Sequence, residues 1–240
     1  MKKHLAIFVL MFIGIINSNG QSTGSLIRFY QNAKVGYKDT KGNVVVPATY
    51  YAGSEYINGF AIVIDNNKRG FLGPDGKVAI ALQYEDAGPF IGGIAKVMQN
   101  HKYGYINTQG KWVIEPKYDF AEDFADGYAV VSANGKYGFI DATCKEVIKP
   151  GYEMARKFCA GLAPVKKGGV WGYIDTKGNW IIPAKYEDAY FFNTEGQARV
   201  TINHELFIID KKGAMVKKIE MRHEEEERGK KGEEREEDNK

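Results

Sequence analysis

The chain has 240 residues, of which 44% are hydrophobic and 26% charged, and its formal net charge is +3. This composition excludes a collagen-like or wholly disordered protein, and the small, evenly mixed charge gives no reason to expect nucleic acid as a partner. Two Cys are too few for a disulfide framework or a four-thiolate zinc site, whereas 28 Gly against 7 Pro point to many tight turns.

The first 20 residues have the three parts of a secretory signal peptide. A basic start at Lys2 and Lys3 precedes an apolar run over residues 5–16, and Ser18 and Gly20 are the small residues expected before a cleavage site. The run is shorter than the roughly 20 residues of a membrane span, and no Cys follows it to carry a lipid anchor. We therefore predict cleavage after Gly20 and an exported protein, periplasmic or extracellular, with no membrane span.

After the signal peptide, the chain repeats itself every 34 residues. Each unit starts with a glycine before an aromatic residue, continues with a tyrosine and ends in a Gly-x-Ala motif. The leading glycines, called head glycines below, are Gly36, Gly70, Gly104, Gly138 and Gly172. A partial sixth unit begins near Leu206. The repeat predicts one modular domain over residues 21–216, with five full units and part of a sixth.

The residue types within each unit predict short β-strands. A 34-residue period is also that of the helical tetratricopeptide repeat, so the period alone does not choose the class. However, β-branched runs such as Ile181-Ile182 end at a proline, and no window places apolar residues at helical spacing. We predict three strands in each unit, as in residues 172–175, 179–182 and 128–131.

The turns between these predicted strands have recognisable chemistry. Asp175-Thr176-Lys177-Gly178 places an Asp where its side chain can bond the turn backbone, and a Gly where φ must be positive. Asn134-Gly135 is typical of a tight hairpin. Each head glycine is expected to let backbone or an aromatic ring of the neighbouring unit approach closely.

These motifs resemble the bacterial WG repeat family. Its pattern is an aromatic residue before Gly, then an aromatic, Ile, Asp, a Gly turn, a Val-Ile-Pro run, Tyr with an acidic residue, and Phe-x-x-Gly-x-Ala-x-Val. The similarity covers about residues 35–200 and part of 206–216; it departs at Val35 and Arg69, where the aromatic is missing, and at two turn residues, Gly73 and Cys144. The resemblance implies a repeat module without known catalysis that serves as a binding or scaffolding surface.

Units of three strands cannot cover their own apolar faces and must stack on their neighbours. We favour an all-β solenoid or twisted ribbon of short antiparallel strands that stays open at both ends. A propeller-like closed ring of six units is the alternative, because residues 24–35 read as the last strand of an absent unit that the partial sixth unit would complete. Pairing between these two parts of the chain would indicate the ring.

The sequence contains no motif typical of catalysis, metal binding or a cofactor. The acidic residues Glu85, Asp119 and Glu187 recur after the repeat tyrosine, which favours a turn or surface role over a catalytic carboxylate pair. His101 and His204 each occur singly in a hairpin turn, and no His-x-x-x-His, Cys-x-x-Cys, Gly-x-Ser-x-Gly or phosphate-binding loop is present. We therefore predict that the protein is not an enzyme and uses no cofactor or metal.

Residues that break the repeat are the candidates for a specific role. Trp112 and Trp180 occupy a position that holds Val44, Val78 or Glu146 in other units. Two exposed indoles two repeats apart would form stacking platforms for sugar rings or anchors for a protein partner, so we predict them to be ligand-binding. The alternative is that each indole covers a local sheet surface.

The two cysteines, Cys144 and Cys159, both fall in the fourth unit. Export would permit a disulfide between them, and two free thiols are the alternative.

The last segment, residues 217–240, carries eight Lys or Arg and ten Asp or Glu and is predicted to be a charged disordered tail. Taken together, the sequence predicts an exported, non-catalytic binding or scaffold module whose partner is a protein or a cell-envelope glycan. A structural spacer or assembly protein with no small ligand is the alternative.

Overall fold

The computed structural model describes residues 26–220, and the regular structure of these residues consists of β-strands. The strands form six successive antiparallel sheets, and none of these six closes into a barrel. Between residues 26 and 220 there is no helix of the length and hydrophobicity needed to cross a bilayer. The predicted signal peptide over residues 1–20 and the predicted tail beyond residue 220 lie outside the described residues.

The first sheet has three strands and each later sheet has four. The first sheet contains β1 (Ile27–Gln31), β2 (Lys34–Lys38) and β3 (Val44–Tyr50). The second contains β4 (Ala52–Gly53), β5 (Ala61–Asp65), β6 (Lys68–Leu72) and β7 (Val78–Tyr84). The third contains β8 (Asp86–Ala87), β9 (Ile94–Gln99), β10 (Lys102–Asn107) and β11 (Trp112–Tyr118). The fourth contains β12 (Phe120–Ala121), β13 (Tyr128–Ala133), β14 (Lys136–Asp141) and β15 (Glu146–Tyr152). The fifth contains β16 (Met154–Ala155), β17 (Leu162–Lys167), β18 (Val170–Asp175) and β19 (Trp180–Tyr186). The sixth contains β20 (Asp188–Ala189), β21 (Gln197–Ile202), β22 (Glu205–Asp210) and β23 (Met215–Ile219).

Each sheet is a meander in which strands adjacent in the chain are adjacent in space. The three strands predicted for each unit are present, but sequence analysis missed the two-residue strand that opens sheets two to six. A single residue separates this strand from the repeat tyrosine; in the second sheet, for example, Ala52 pairs with Ile64 and Gly53 with Val63. Two residues are too few to show the alternation that marks a strand, so no pattern could have predicted it.

The predicted turn chemistry is confirmed. The hairpin that joins the first and second long strands of a sheet has two central residues with positive φ, for example Asn134 at 52° and Gly135 at 69°. In the other turn type, Asp175 Oδ1 accepts the backbone N–H groups of Lys177 and Asn179 at 2.9 and 2.8 Å. The turn with a Cys in place of Gly is also retained, because Cys144 adopts φ of 64°.

A β-bulge lies opposite the head glycine in each of the first five sheets. Opposite Gly172, the register between β18 and β19 shifts, and a Cβ on Gly172 would lie 2.6 Å from Ile182 O. The carbonyl belongs to the next strand of the same sheet, so the expectation that a neighbouring unit makes the close approach was wrong. In the sixth sheet Phe207 occupies this position, and β22 pairs with β23 without a shift at that residue. The bulge therefore occurs where the glycine does.

The hydrophobic core is divided into layers between successive sheets. Five clusters of buried side chains fill the five spaces between the six sheets. Each layer contains an aromatic from the middle of one sheet stacked on an aromatic of the next, such as Phe139 with Phe158, whose ring centroids are 4.7 Å apart. Since both partners are fully buried, these rings tie each unit to its neighbour.

The two ends of the array do not share a strand. Strand β1 pairs with β2, and the sixth sheet is completed by its own four strands. Strand β23 continues to Ile219, which pairs with Leu206, so the predicted start of the tail at residue 217 was wrong by three residues. Lys217 and Lys218, which composition alone assigned to the tail, therefore belong to β23 and pair with β22.

Candidate functional site

The two predicted ligand-binding tryptophans are half-buried. Trp112 packs edge-on against Tyr84 at a centroid distance of 5.9 Å, and Trp180 packs in the same way against Tyr152 at 6.0 Å. In both cases the tyrosine is the repeat tyrosine of the preceding sheet. Each indole therefore has a packing role between two sheets, while its ligand-binding role stays a prediction.

The glutamate in the equivalent position makes the same connection by polar contacts. Glu146 Oε1 accepts hydrogen bonds from the Tyr118 hydroxyl at 2.8 Å and from Lys117 Nζ at 2.9 Å. Its two partners hold the pKa of Glu146 below its ordinary value. The position accepts Trp or Glu because either can contact the repeat tyrosine of the preceding sheet.

The two cysteines are free thiols in the structure, so the disulfide considered from the sequence is not present in it. Cys144 packs against the core layer between the third and fourth sheets. Cys159 follows Phe158, which belongs to the layer between the fourth and fifth sheets. Burial, with a smaller contribution from the Asp141 charge, raises the pKa of Cys144 to about 11.

The recurring acidic residues stabilise hairpin turns. The Glu153 carboxylate accepts the backbone N–H groups of Gly168 and Gly169 at 2.8 and 3.0 Å. Glu85 does the same for Asn100 and His101, and these backbone hydrogen bonds hold the pKa of both carboxyls low. The turn role that the sequence favoured over a catalytic pair is therefore what the structure shows for these residues. Within residues 26–220, no group of three or more His, Cys, Asp or Glu is arranged to hold a metal ion.

One side of the array carries side chains that do not repeat. The two residues after each two-residue strand, called the variable pairs below, stand directly before a repeated aromatic, yet they differ in every unit. The pairs are Ser54-Glu55, Gly88-Pro89, Glu122-Asp123, Arg156-Lys157 and Tyr190-Phe191. Along the last three sheets the chemistry thus changes from acidic to basic to aromatic.

Three of the variable pairs line a groove with a volume of about 530 Å³. Its walls are Glu122-Asp123 of the fourth sheet, Arg156-Lys157 of the fifth and Phe191 of the sixth, with Lys96 from β9 and Phe124. The groove crosses four successive sheets, because Lys96 belongs to the third. Stacking of the sheets brings together side chains that lie far apart in the sequence.

The acidic pair is held in place from the core. The buried Tyr105 donates its hydroxyl hydrogen to the main-chain oxygen of Glu122 at 2.9 Å. The Asp123 side chain lies over Gly88 of the third sheet, where a methyl group would overlap Asp123 Oδ1. Gly88 therefore provides the space that Asp123 occupies.

The acidic pair has unused capacity to accept hydrogen bonds. Burial raises the pKa of Glu122 and of Asp123 above their ordinary values, against the lowering effect of Lys96. Lys96 Nζ lies 3.6 Å from Asp123 Oδ1, yet that oxygen is buried and accepts no hydrogen bond from residues 26–220. No ion pair within the described chain involves Glu122. A hydrogen-bond donor on a ligand would give both carboxylates a further partner.

The basic and aromatic pairs interlock. Arg156 Nη2 lies 3.0 Å from Asp188 Oδ1, and its guanidinium lies over the rings of Trp171 and Tyr190 at 4.6 and 4.5 Å. Arg156 is thus committed to the protein. By contrast, Lys157 is exposed and contacts the half-exposed ring of Phe191, with Nζ 4.8 Å from the centroid.

Sequence analysis singled out pattern-breaking residues but missed the variable pairs. The signal was present, because both positions change in every unit while their neighbours on either side stay constant. It could not reveal the groove, since nothing in one unit shows which positions of its neighbour lie beside it.

Comparison with known proteins identifies the repeat. The model of the family described as WG containing repeat matches five segments, residues 36–68, 70–103, 103–137, 137–171 and 171–203. No curated protein matches this chain in sequence.

Several solved structures are similar in fold. A eukaryotic initiation factor aligns with a TM-score of 0.51 and 11% identity over 82% of this chain and 63% of its own. Kluyveromyces lactis Hsv2 aligns with a TM-score of 0.46 and 10% identity over 79% of this chain and 72% of its own. The extracellular domain of a putative one-component system from B. thetaiotaomicron aligns with a TM-score of 0.41 and 10% identity, over 80% and 33% of the two chains. At these identities the similarity concerns the fold alone.

Proposed function

This chain belongs to the WG repeat family, and we propose that it is an exported, non-catalytic binding module whose partner, a protein or a cell-envelope glycan, contacts the groove. The signal peptide predicted over residues 1–20 supports export to the periplasm or the cell exterior.

The observation that carries this proposal is the contrast between repeated and unrepeated positions. The repeated residues have structural roles: head glycines form bulges, acidic residues bind turns and aromatics fill the core layers. The variable pairs do not repeat, and three of them converge on the groove, although Arg156 also binds Asp188 of the next sheet. Positions that differ from unit to unit can carry contacts specific to one partner. The groove that these positions line is therefore the best candidate for the binding surface.

We also propose that the array is open rather than a closed ring. Leu72, Ile106, Ile140, Ile174 and Ile209 are equivalent residues that are buried against the preceding sheet, and Lys38 takes their place in the first sheet. On the opposite face, Val46, Ile80, Ile114, Ile148 and Ile182 are equivalent; four are buried and Ile114 is partly buried, and Lys217 takes their place in the sixth sheet. A closed ring would bury both lysines in one apolar layer, which is unfavourable.

The alternative of a spacer that assembles through sheet edges has less support. Proline interrupts the outermost strand of four sheets, at Pro47, Pro116, Pro150 and Pro183. A proline cannot donate to a further strand, so these edges resist pairing with another chain.

The test compares a variant of the groove with a matched control variant outside it, on the outermost strands of two sheets. The Glu122→Lys/Lys157→Glu variant exchanges two groove charges. The control Glu115→Lys/Lys149→Glu makes the same exchange at exposed positions of the outermost strands of the third and fourth sheets. Retention of residues 21–240 is measured on isolated peptidoglycan and on immobilised envelope proteins.

We expect the wild type and the control to be retained on one of these two materials and the groove variant to be lost. Equal retention of all three forms would contradict a binding role for the groove, as would no retention of any form. The Trp112→Ala/Trp180→Ala variant, measured alongside, tests whether the two indoles contribute.

A further inference from the structure

The groove offers two charged groups without an ion-pair partner in the described chain and one exposed ring, in three successive sheets. Asp123 is paired with Lys96, and Arg156 with Asp188. Within residues 26–220, this leaves the Glu122 carboxylate in the fourth sheet and the Lys157 ammonium in the fifth without an ion-pair partner. Lys157 contacts the ring of Phe191 in the sixth sheet, which is itself exposed. The order acidic, basic, apolar is set by the stacking and runs in one direction along the array.

The spacing of these groups follows from the packing of the sheets. Packed sheets lie about 10 Å apart, and an extended chain rises about 3.3 Å per residue. Three residues of an extended peptide therefore span one sheet. A peptide crossing the groove would meet a new type of group at every third residue.

This arrangement favours a peptide over a glycan. A glycan with a simple repeating unit presents the same groups at each step, whereas the groove presents three different groups in three steps. A peptide can place a different side chain at each step. Complementary charge at the first two steps adds specificity.

We propose that the groove binds an extended peptide segment of a partner protein that carries a basic, an acidic and an apolar side chain at three-residue spacing, in that order from the fourth sheet to the sixth. This inference rests on the proposed function and narrows its partner to a protein. The basic side chain pairs with Glu122, the acidic one with Lys157, and the apolar one packs against Phe191.

The test uses two labelled peptides of equal composition. The matched peptide is Ser-Lys-Gly-Ser-Glu-Gly-Ser-Leu-Ser, and in the swapped peptide, Ser-Glu-Gly-Ser-Lys-Gly-Ser-Leu-Ser, the two charges are exchanged. Reversing the swapped peptide in the groove does not restore the required order, because its acidic residue stays at one end. Binding to residues 21–240 is measured by fluorescence anisotropy at low salt.

We expect the wild type to bind the matched peptide roughly tenfold more tightly than the swapped one, because two charge contacts change from attraction to repulsion. The Glu122→Lys/Lys157→Glu variant should reverse this preference, and the control Glu115→Lys/Lys149→Glu should keep it. The difference should shrink in high salt.

The proposal is overturned if neither peptide binds, if both bind equally, or if the preference survives the charge exchange in the groove. These outcomes are distinct from failure of the proposed function. Groove-dependent retention on peptidoglycan, with no discrimination between the peptides, would keep the binding module and reject the peptide ligand.

Discussion

In the open array proposed above, the inner sheets and the two end sheets are made from the same unit, but they differ on the faces that have no neighbour. Every inner sheet presents an aliphatic residue at the centre of both faces. The first sheet has Lys38 on its outer face, and the sixth sheet has Lys217 on its outer face. The unit therefore specifies how sheets stack, and these lysines specify where stacking stops.

The two outer faces are otherwise halves of the repeated interface. The outer face of the first sheet has Ile27 and Phe29 beside Lys38, and that of the sixth has Leu206 and Ile208. If a second copy added end to end, both lysines would enter one apolar layer. Two like charges would then lie in a layer that is apolar between all the other sheets, and this opposes elongation of the array. The two lysines thus act as caps of the repeat array.

The largest expected effect comes from placing an end residue in an inner sheet. Ile140, which is fully buried, is the inner counterpart of Lys38. Ile140→Lys should lower the free energy of unfolding by about 5 kcal/mol, since it loses apolar packing and buries an unpaired charge. Urea unfolding followed by tryptophan fluorescence measures the loss. The reciprocal Lys38→Ile should cost nothing, and an equal loss in both variants would show that the two faces do not differ.

A second effect concerns the bulge that the first five units have and the sixth lacks. A Cβ on Gly138 would lie 2.6 Å from Pro150 N, so Gly138→Ala should cost about 3 kcal/mol of stability. The control is Gly151→Ala in the same sheet, where the nearest atom would be 3.7 Å away and the change should stay within about 0.5 kcal/mol. Thermal unfolding compares the two, and similar melting temperatures would argue against a steric role of the head glycine.

Removing both capping lysines should remove the block to elongation. The Lys38→Ile/Lys217→Ile variant is expected to associate end to end in a concentration-dependent way, because each end then completes the apolar layer of another copy. Analytical ultracentrifugation measures the association. As a control, the Lys41→Ile/Lys212→Ile variant replaces two exposed turn lysines of the same sheets. This variant should sediment like the wild type. A double capping variant that sediments like the wild type at all concentrations would refute the capping role.

The smallest expected effect is a difference in how the stability depends on pH between a groove carboxylate and a turn carboxylate. Burial raises the pKa of Glu122 above its ordinary value of 4.5, so its ionisation disfavours the fold as pH rises through the raised pKa. Glu122→Gln should therefore gain stability relative to the wild type between about pH 4 and pH 7. The pKa of Glu153 is lowered by its backbone hydrogen bonds, so its charge favours the fold, and Glu153→Gln should lose stability over the same range. Urea midpoints at both pH values test this, and changes of the same sign would contradict it.

Local features were predictable from the sequence because their causes lie within a few residues. The hairpin at Asn134-Gly135 and the turn bound by Asp175 depend on φ preferences and on a side chain that reaches its own turn. The repeat of 34 residues identified the unit and its family in the same way. Short strands such as Asp86–Ala87 could not be predicted, because pairing to the next strand, rather than their own residues, makes them strands.

By itself, the sequence determined the β-class, the unit and its turns, since each of these follows from local conformational preference and from periodicity. Only the tertiary structure decided that the indoles of Trp112 and Trp180 pack on tyrosines of the preceding sheet and that both cysteines are free thiols. It also decided that Glu122, Lys157 and Phe191 line one groove. The physical reason is that the lateral stacking of sheets, which sets these contacts, depends on interactions between residues of different units, and a unit read alone carries no record of its neighbour's charges.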